Sequence, residues 1–430
     1  MRVKKHHILV TPIIIITSLI FSNTNAQLTV DAELRPRFEY RHGFKTLFPN
    51  NTEAASFVSQ RTRLNSKYTN HKLQFYLSLQ DVRVWGDVPQ LNTADKNGLS
   101  LHQAWGKVLF TPNFGFKIGR QEIVYDDHRI FGNVDWAQQA RSHDAAVLKF
   151  RSNKIKFDFG YAFNQNAESL TGNVLTTPNT YKSLQYAWVH KDWKDISVSV
   201  LFLNNGLQFT DDKNNNNNET RYSQTTGAHL RYLKNRLALT LNIYYQFGND
   251  IANNELNAYL LGFEANYSLS KKISVALGAE VQSGNDNNLT VNGKNKAFTP
   301  LYGTNHKFNG HMDYFYVGNH INNVGLTNLF AKAKVKIANS SFINVALHNF
   351  LATADISGID SKELGTEIDL AYSYQFQKNI NFKVGYSHLF ASEGLEIVKD
   401  NFDDNSNYWG WLMVTIDPIL FKTELKKEQL

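Results

Sequence analysis

Alternation of apolar and polar residues along short segments is the feature of this sequence that most constrains its fold. In 364–376, one face carries leucine, isoleucine, tyrosine and phenylalanine with a single threonine, whereas Glu367 and Asp369 fall on the other. The segments 155–164 and 237–248 show the same alternation. A period of two predicts β-strands with two different faces. A soluble sheet alternates as well, so other features must decide what surrounds the strands.

The N-terminal segment has the composition of a secretory signal. Arg2, Lys4 and Lys5 precede a mostly apolar stretch over 8–21, and Thr24 and Ala26 stand where a cleavage site requires small residues. This pattern predicts a signal peptide over 1–26, because the apolar stretch is short for a membrane span. The rest of the chain has a formal charge of +4 instead of +7, which argues against a nucleic-acid partner.

The composition of the remaining chain favours a membrane β-barrel. Over the full chain, aromatic residues reach 13% although the mean hydropathy is −0.39. No apolar stretch after residue 26 is long enough for a transmembrane helix. A barrel with a lipid-facing apolar side and a polar lumen gives such an average. The sequence therefore predicts a barrel in the outer membrane of a Gram-negative bacterium, in contact with outer-membrane lipid. The absence of cysteine excludes disulfide bonds.

The spacing of the predicted strands supports this fold class. Eighteen strands are predicted between residues 28 and 417, and sixteen remains open. Tight turns at Asn70, Asn153 and Lys378 alternate with long connections such as 43–56, 125–142 and 284–325. This is the pattern of an all-β antiparallel transmembrane barrel with short periplasmic turns and long extracellular loops. The predicted barrel covers 27–421 and a periplasmic tail covers 422–430. The long 284–325 segment could narrow the pore or plug it.

Charged residues on the inward face suggest what the pore carries. Strand parity directs Arg35, Arg37, Arg61, Arg63 and Lys117 into the lumen, because a charge facing lipid costs about 2–4 kcal/mol. Rings of basic residues favour anions, so the sequence predicts a water-filled pore for an anionic solute. Two alternatives remain at this stage. Inward acids could neutralise these bases, or one wall could be basic and the other acidic, since every arginine lies at or before position 236.

Other classes of function have weaker support in the sequence. Ser142, His143 and Asp144 supply the residue types of a hydrolase triad, but neither G-x-S-x-G nor H-E-x-x-H occurs. The sequence therefore predicts no catalytic residue, no metal site and no cofactor, and an outer-membrane hydrolase is the least favoured reading. A general diffusion porin and a plugged structural barrel stay open. A monomer is expected, because a closed barrel has no free strand edge.

One segment resembles a known family. The residues that carry the resemblance are Gly119, Arg120, Gln121, Glu122, Tyr125, Asp127, Arg129, Gly132, Asp135, Trp136, Arg141 and Asp144, with a later segment, 308–314. Their pattern resembles the signature of the bacterial alginate-export family of outer-membrane porins.

The resemblance implies an 18-stranded barrel that carries an anionic polysaccharide outward through an arginine-rich pore. It makes Arg120, Arg129 and Arg141 candidate pore residues, and Asp127, Asp135 and Asp144 their ion-pair partners. Glu122 joins these partners as an inward acid. Export of a polymer would also require periplasmic machinery as a partner. The sequence departs from the family pattern in having no arginine after position 236, which weakens the assignment to alginate itself.

Overall fold

The computed structural model is a closed antiparallel barrel of 18 strands. It describes residues 26–92, 95–211, 218–287, 293–316, 318–320 and 324–423. Most of the predicted signal peptide (1–25) and most of the predicted tail (424–430) lie outside the described residues. No helix within the described ranges is long and apolar enough to cross a membrane.

The strands follow one another around the barrel in chain order. Their bounds are β1 Gln27–His42, β2 Ala55–Thr69, β3 Leu73–Val84, β4 Ser100–Leu109, β5 Phe114–Gln121, β6 His143–Arg151, β7 Ile155–Phe163, β8 Ser183–Asp192, β9 Ile196–Phe209, β10 Glu219–Lys234, β11 Leu237–Gly248, β12 Glu255–Leu256, β13 Ala258–Ser268, β14 Ile273–Gln282, β15 Lys294–Asn295, β16 Leu326–Ala338, β17 Ser341–Leu351, β18 Glu363–Gln377, β19 Ile380–Ala391, β20 Asn407–Ile416 and β21 Ile419–Lys422. A 3₁₀ turn covers Asn305–Lys307, and a short helix, α1, covers Glu393–Lys399.

The barrel closes between its first and last strands. β1 pairs with β2 on one side and with β20 on the other, from Leu34 opposite Ile416 to His42 opposite Tyr408. β21 continues the last strand beyond Asp417 and Pro418 and pairs with the start of β1. The two-residue segments β12 and β15 form a separate two-stranded parallel sheet. The 18-stranded barrel predicted from the sequence is therefore confirmed.

Strand β18 illustrates the two faces of the wall. Ile368, Leu370 and Tyr372 are between 37% and 42% exposed on the outer surface. Glu367 and Asp369 point inward and are almost completely buried. Because an exposed apolar belt is unfavourable in water, this outer face is suited to lipid.

A bulge at the start of β18 overrides the simple alternation. Leu364 is fully buried, although its parity in the sequence places it outward with Ile368. In the pairing with β17, Phe350 stands opposite Gly365 and Leu351 opposite Glu363, so Leu364 is the extra residue. Gly365 has a φ of 133°, which favours glycine. Leu364 consequently packs in the same apolar cluster as Leu395 of α1.

Two long loops contribute residues to the lumen. We call them loop A (122–142) and loop B (283–325, of which 283–287, 293–316, 318–320 and 324–325 are described). Ile130 and Phe131 of loop A are buried against inward side chains of the wall such as Tyr186 and Leu203. Burial of side chains of this size contributes roughly 1.5–3 kcal/mol each. Part of the inward face is thus apolar, and it packs against the loops instead of facing water.

Candidate pore and its lining

Loops A and B are joined to each other inside the barrel. Phe131 and Tyr302 form an isolated parallel bridge, and the Gly132 amide donates a hydrogen bond to the Tyr302 carbonyl over 2.8 Å. The Thr304 amide donates to the His128 carbonyl over 2.9 Å. These backbone bonds make the two loops one connected partition across part of the lumen.

Arg35 and Arg61 hold loop A against the wall formed by β1 and β2. Both guanidinium groups contact the Asp135 carboxylate, at 3.3 Å from Arg35 and 2.9 Å from Arg61. Arg61 also pairs with Glu33 at 2.7 Å. Gln138 of the same loop accepts a hydrogen bond from Nε of Arg35 over 3.2 Å. These two arginines point inward as predicted, but they bind protein carboxylates.

Glu39 lies between two further arginines of β1. Its carboxylate is fully buried and accepts from Arg37 and Arg41, at 2.8 Å in each pair. Trp409 donates an indole hydrogen bond to the same carboxylate over 3.1 Å. The Arg37 guanidinium also stacks over the ring of Trp136 at 4.1 Å. Arg41 is the more accessible of the two arginines, with 32% of its side chain exposed.

Arg129 and Arg141, both in loop A, have different environments. The Arg129 side chain is fully buried and pairs with Glu280 of β14. It also donates to the Asn305 side chain over 3.4 Å. Arg141 donates to the Gly303 carbonyl over 3.2 Å and has no carboxylate partner among the described residues. Burial lowers the pKa of Arg141, whose charge persists at neutral pH.

The position of Arg120 differs from the one predicted. Arg120 and Asp144 stand opposite each other on β5 and β6 and form an ion pair at 2.8 Å. They share the strand face that carries Ile118 and Leu148, which is the outward face. The pairing of β5 runs without a register shift, so parity alone places Arg120 outside. The signature segment pairs these two residues where the strands meet loop A, and both line a cavity of about 340 Å³ together with Arg141 and Tyr302.

The remaining predicted basic residues point inward from the strands. Arg63 donates to Gln80 over 2.7 Å, and its Nη2 is buried without a hydrogen-bond partner among the described residues. Lys117 of β5 lies 4.0 Å from the ring of Trp105.

Two of the acids predicted as ion-pair partners, Glu122 and Asp127, contact histidine and asparagine side chains. Glu122 binds His102 at 2.8 Å and accepts from Asn133. Asp127 accepts from Asn242 over 2.6 Å and lies 3.7 Å from His229. Burial would raise the pKa of Glu122, but hydrogen bonds from His102 and Asn133 hold it below its usual value.

Asp135 makes the arginine contacts predicted for it. Burial would raise its pKa, but the charges of Arg61 and Arg35 hold that pKa below the usual range. The carboxylate is therefore ionised at neutral pH, and it links loop A to the basic wall.

The acids of the second half anchor the loops. Glu280 binds Arg129 of loop A, and the Met312 amide of loop B donates to Glu367 over 2.8 Å. Asp369 lies beside Glu367, 3.6 Å from His311. Inward acids thus bind the loops in the second half of the chain, whereas Glu33 and Glu39 bind inward arginines in the first half.

The partition separates two chambers in the lumen. The first, the arginine chamber, has a volume of about 570 Å³ and is lined by Arg37, Glu39, Arg41, Phe44, Lys45, Phe57, Arg83, Asp87, Trp136, Arg141, His306, Asp313 and Tyr316 among others. The second, the lysine chamber, also has a volume of about 570 Å³ and is lined by Glu264, Asn266, Lys307, His311, Lys332, Lys334, Asn344, His348 and Asp369 among others. Loop B contributes His306 to one chamber and Lys307 to the next.

Several chamber residues escaped prediction because they belong to loops. The alternation of strand residues assigns no face to Lys45, His306 and Lys307, and nothing else in the sequence directs them inward. Trp136 was visible within the family signature, but its stacking on Arg37 was not. Of the residues that supplied the types of a hydrolase triad, His143 contacts the Tyr181 hydroxyl at 3.1 Å and Asp144 pairs with Arg120.

Comparisons with known proteins agree with this architecture. Outer membrane protein OpdK of Pseudomonas aeruginosa aligns over 93% of this chain and 99% of its own, with a TM-score of 0.59 and 12% identity. OccAB4 of Acinetobacter baumannii aligns over 93% and 99%, with a TM-score of 0.62 and 12% identity. OpdQ of Pseudomonas aeruginosa aligns over 92% and 98%, with a TM-score of 0.59 and 14% identity. At such identities the likeness concerns the fold alone.

No protein of curated function matches the sequence. The description of the alginate export family matches residues 26–408, which is most of the chain and includes both lumenal loops. The chain therefore belongs to the alginate export family.

Proposed function

We propose that this barrel is an outer-membrane channel that passes an anionic solute, such as a carboxylated oligosaccharide or polysaccharide of the alginate type. The observation that carries the proposal is the arginine chamber. Five basic side chains line it, namely Arg37, Arg41, Lys45, Arg83 and Arg141, against the three carboxylates of Glu39, Asp87 and Asp313. A cavity with an excess of one sign raises the local concentration of the opposite charge.

Only some of these basic groups are available to a solute. Arg37 is engaged by Glu39 and the Trp136 carbonyl. Arg83 pairs with Asp81 and Asp95. Lys45 is 41% exposed and lies 3.9 Å from Asp313. Arg41 and Arg141 keep donors that no protein group takes up in the described part of the chain. We therefore expect selectivity to depend on a few accessible cations.

The aromatic residues of the arginine chamber support a saccharide. Phe44, Phe57, Trp136 and Tyr316 line the same cavity as the guanidinium groups. The forked guanidinium suits a planar carboxylate, and an aromatic ring suits the apolar face of a sugar. Pockets with apolar walls and few polar groups are typical binding sites for such ligands.

The mature protein would lie in the Gram-negative outer membrane after cleavage of the signal peptide. Its short turns would face the periplasm, as is usual for such barrels. We propose no enzymatic activity. The family and the structural neighbours consist of channel and membrane-barrel proteins.

A plugged structural barrel is the second candidate, and one observation favours it. Loops A and B are fixed in the lumen by ion pairs and by two apolar clusters. A permanently plugged barrel would conduct very little current. A general diffusion porin, the third candidate, would conduct without marked preference for anions.

Block of the channel by uronate oligomers tests the proposal. We expect a uronate trisaccharide to interrupt the single-channel current, and the double variant R41Q/R141Q to bind it at least tenfold more weakly. R236Q is the matched control, because Arg236 lies in the β10–β11 turn, far from the chamber. Absence of block in the wild type, or equal block in R41Q/R141Q and R236Q, would contradict the proposal.

A further inference from the structure

We propose that the lysine chamber is a second anion site, which takes a carboxylate group of the solute from the short-turn end of the barrel. This inference rests on the proposed function, because it assigns a separate binding step to the same channel. The chamber is distinct from the arginine chamber, since loop B lies between them. Its volume of about 570 Å³ is sufficient for a short sugar segment.

Of the two lysines on the wall of the lysine chamber, Lys332 has an acidic partner and Lys334 does not. Lys332 pairs with Glu264 at 3.1 Å. Asp369 accepts a hydrogen bond from Ser387 and lies 3.8 Å from His348. Lys334 contacts the ring of Phe342 at 4.2 Å, and no carboxylate pairs with it in the described ranges. One ammonium group therefore faces the cavity without an acidic partner.

Lys307 adds a second such charge from loop B. Its ammonium group donates to the backbone carbonyl of Asp127 over 2.9 Å, which satisfies a donor without neutralising the charge. The carboxylate of Asp127 is itself engaged by Asn242. Lys307 and Lys334 thus approach the chamber from the partition and from the wall, respectively.

The approach to the chamber from the short-turn end is also basic. Lys334 stands opposite Ser274 and Asn344 and lies four residues before the end of β16. Lys336 and Lys383 share its inward parity at this end of the barrel. No acidic residue within the described part of the chain forms an ion pair with either lysine. A funnel of one sign speeds the capture of the opposite charge.

The two chambers differ in the chemistry of their cations. An ammonium group is a compact point charge, whereas a guanidinium group fixes the plane of a carboxylate. The lysine chamber is therefore suited to capture anions with little discrimination. The arginine chamber, with its aromatic rings, is suited to finer selection.

The test uses oriented single channels and a uronate trisaccharide added to one side at a time. The chain has no cysteine, so N153C in the β6–β7 turn accepts a membrane-impermeant label that reports orientation. The variants are K334Q and K334E, and the matched control is K271Q, in the exposed turn between β13 and β14. Gel mobility before and after heating verifies that each barrel is folded.

We expect the rate of block from the short-turn side to fall about fivefold in K334Q, the Boltzmann factor of one charge at about 4 Å in water. K334E should lower that rate further, and K271Q should leave it unchanged. The rate from the long-loop side should stay at the wild-type value in all three variants. Wild-type block rates in K334E from the short-turn side, or equal losses from both sides, would overturn the second site. If the wild type prefers cations in a KCl gradient, the proposed function itself fails.

Discussion

The buried pair of Arg129 and Glu280 gives the sharpest test of how the loops are held. The Arg129 side chain is 0% exposed and that of Glu280 is 7% exposed. R129M leaves the Glu280 carboxylate buried with only Gln282 as a donor, at 2.9 Å. Removal of one partner of a buried ion pair typically costs about 3–5 kcal/mol. We expect R129M to lose that amount of unfolding free energy, and R129M/E280Q to regain most of it.

Urea unfolding in lipid vesicles, followed by tryptophan fluorescence, measures this free energy. The matched control is R120M, because the Arg120 side chain is 43% exposed in its pair with Asp144. An exposed pair is worth about 0–1 kcal/mol. The reasoning is refuted if R129M costs no more than R120M, or if R129M/E280Q is no more stable than R129M.

Three other perturbations follow from the same structure. D135N should release loop A and increase open-channel noise at neutral pH. The pKa of Asp135 is held below its usual range, so the contribution of its ion pairs to stability is present at higher pH and is lost only as pH falls through that lowered pKa. The wild type should therefore show this noise only below about pH 4. Noise that appears already at pH 6 would contradict this. L370R places a charge on the lipid face and should cost about 2–4 kcal/mol in urea unfolding, so a neutral effect would argue against lipid contact there. G310A should displace loop B and raise the conductance, since Gly310 has a φ of 77° and an added Cβ would lie 2.5 Å from Glu367; unchanged conductance would show that this segment does not limit the pore.

The barrel could be predicted from the sequence because lipid and lumen impose opposite demands on alternate residues. The tight turns expected at Asn70, Asn153 and Lys378 all lie between paired strands in the structure. Leu364 broke the pattern, because a bulge depends on the pairing of two strands. A single sequence does not show which residues of two neighbouring strands stand opposite each other.

The candidate pore was predicted only in part. Parity identified Arg35, Arg37, Arg61 and Arg63 as inward residues, but their side-chain partners include residues up to about a hundred positions away in the chain. Family resemblance named Arg120 without specifying its face.

The inward folding of loop A could not be predicted either. Its apolar side chains, such as Ile130 and Phe131, have no period that reveals a partner. They pack against apolar inward residues of the wall, which by themselves would not suit the lining of a polar pore. The structure resolves this, because the apolar wall and the apolar loop cover each other.

The single-channel reversal potential of the mature protein across a KCl gradient tests the central claim most directly. If the accessible arginines and lysines govern the pore, the reversal potential should have the sign of chloride preference, and R41Q/R141Q should move it toward zero. A reversal potential with the sign of potassium preference, or a barrel that passes no measurable current, would contradict an anion channel.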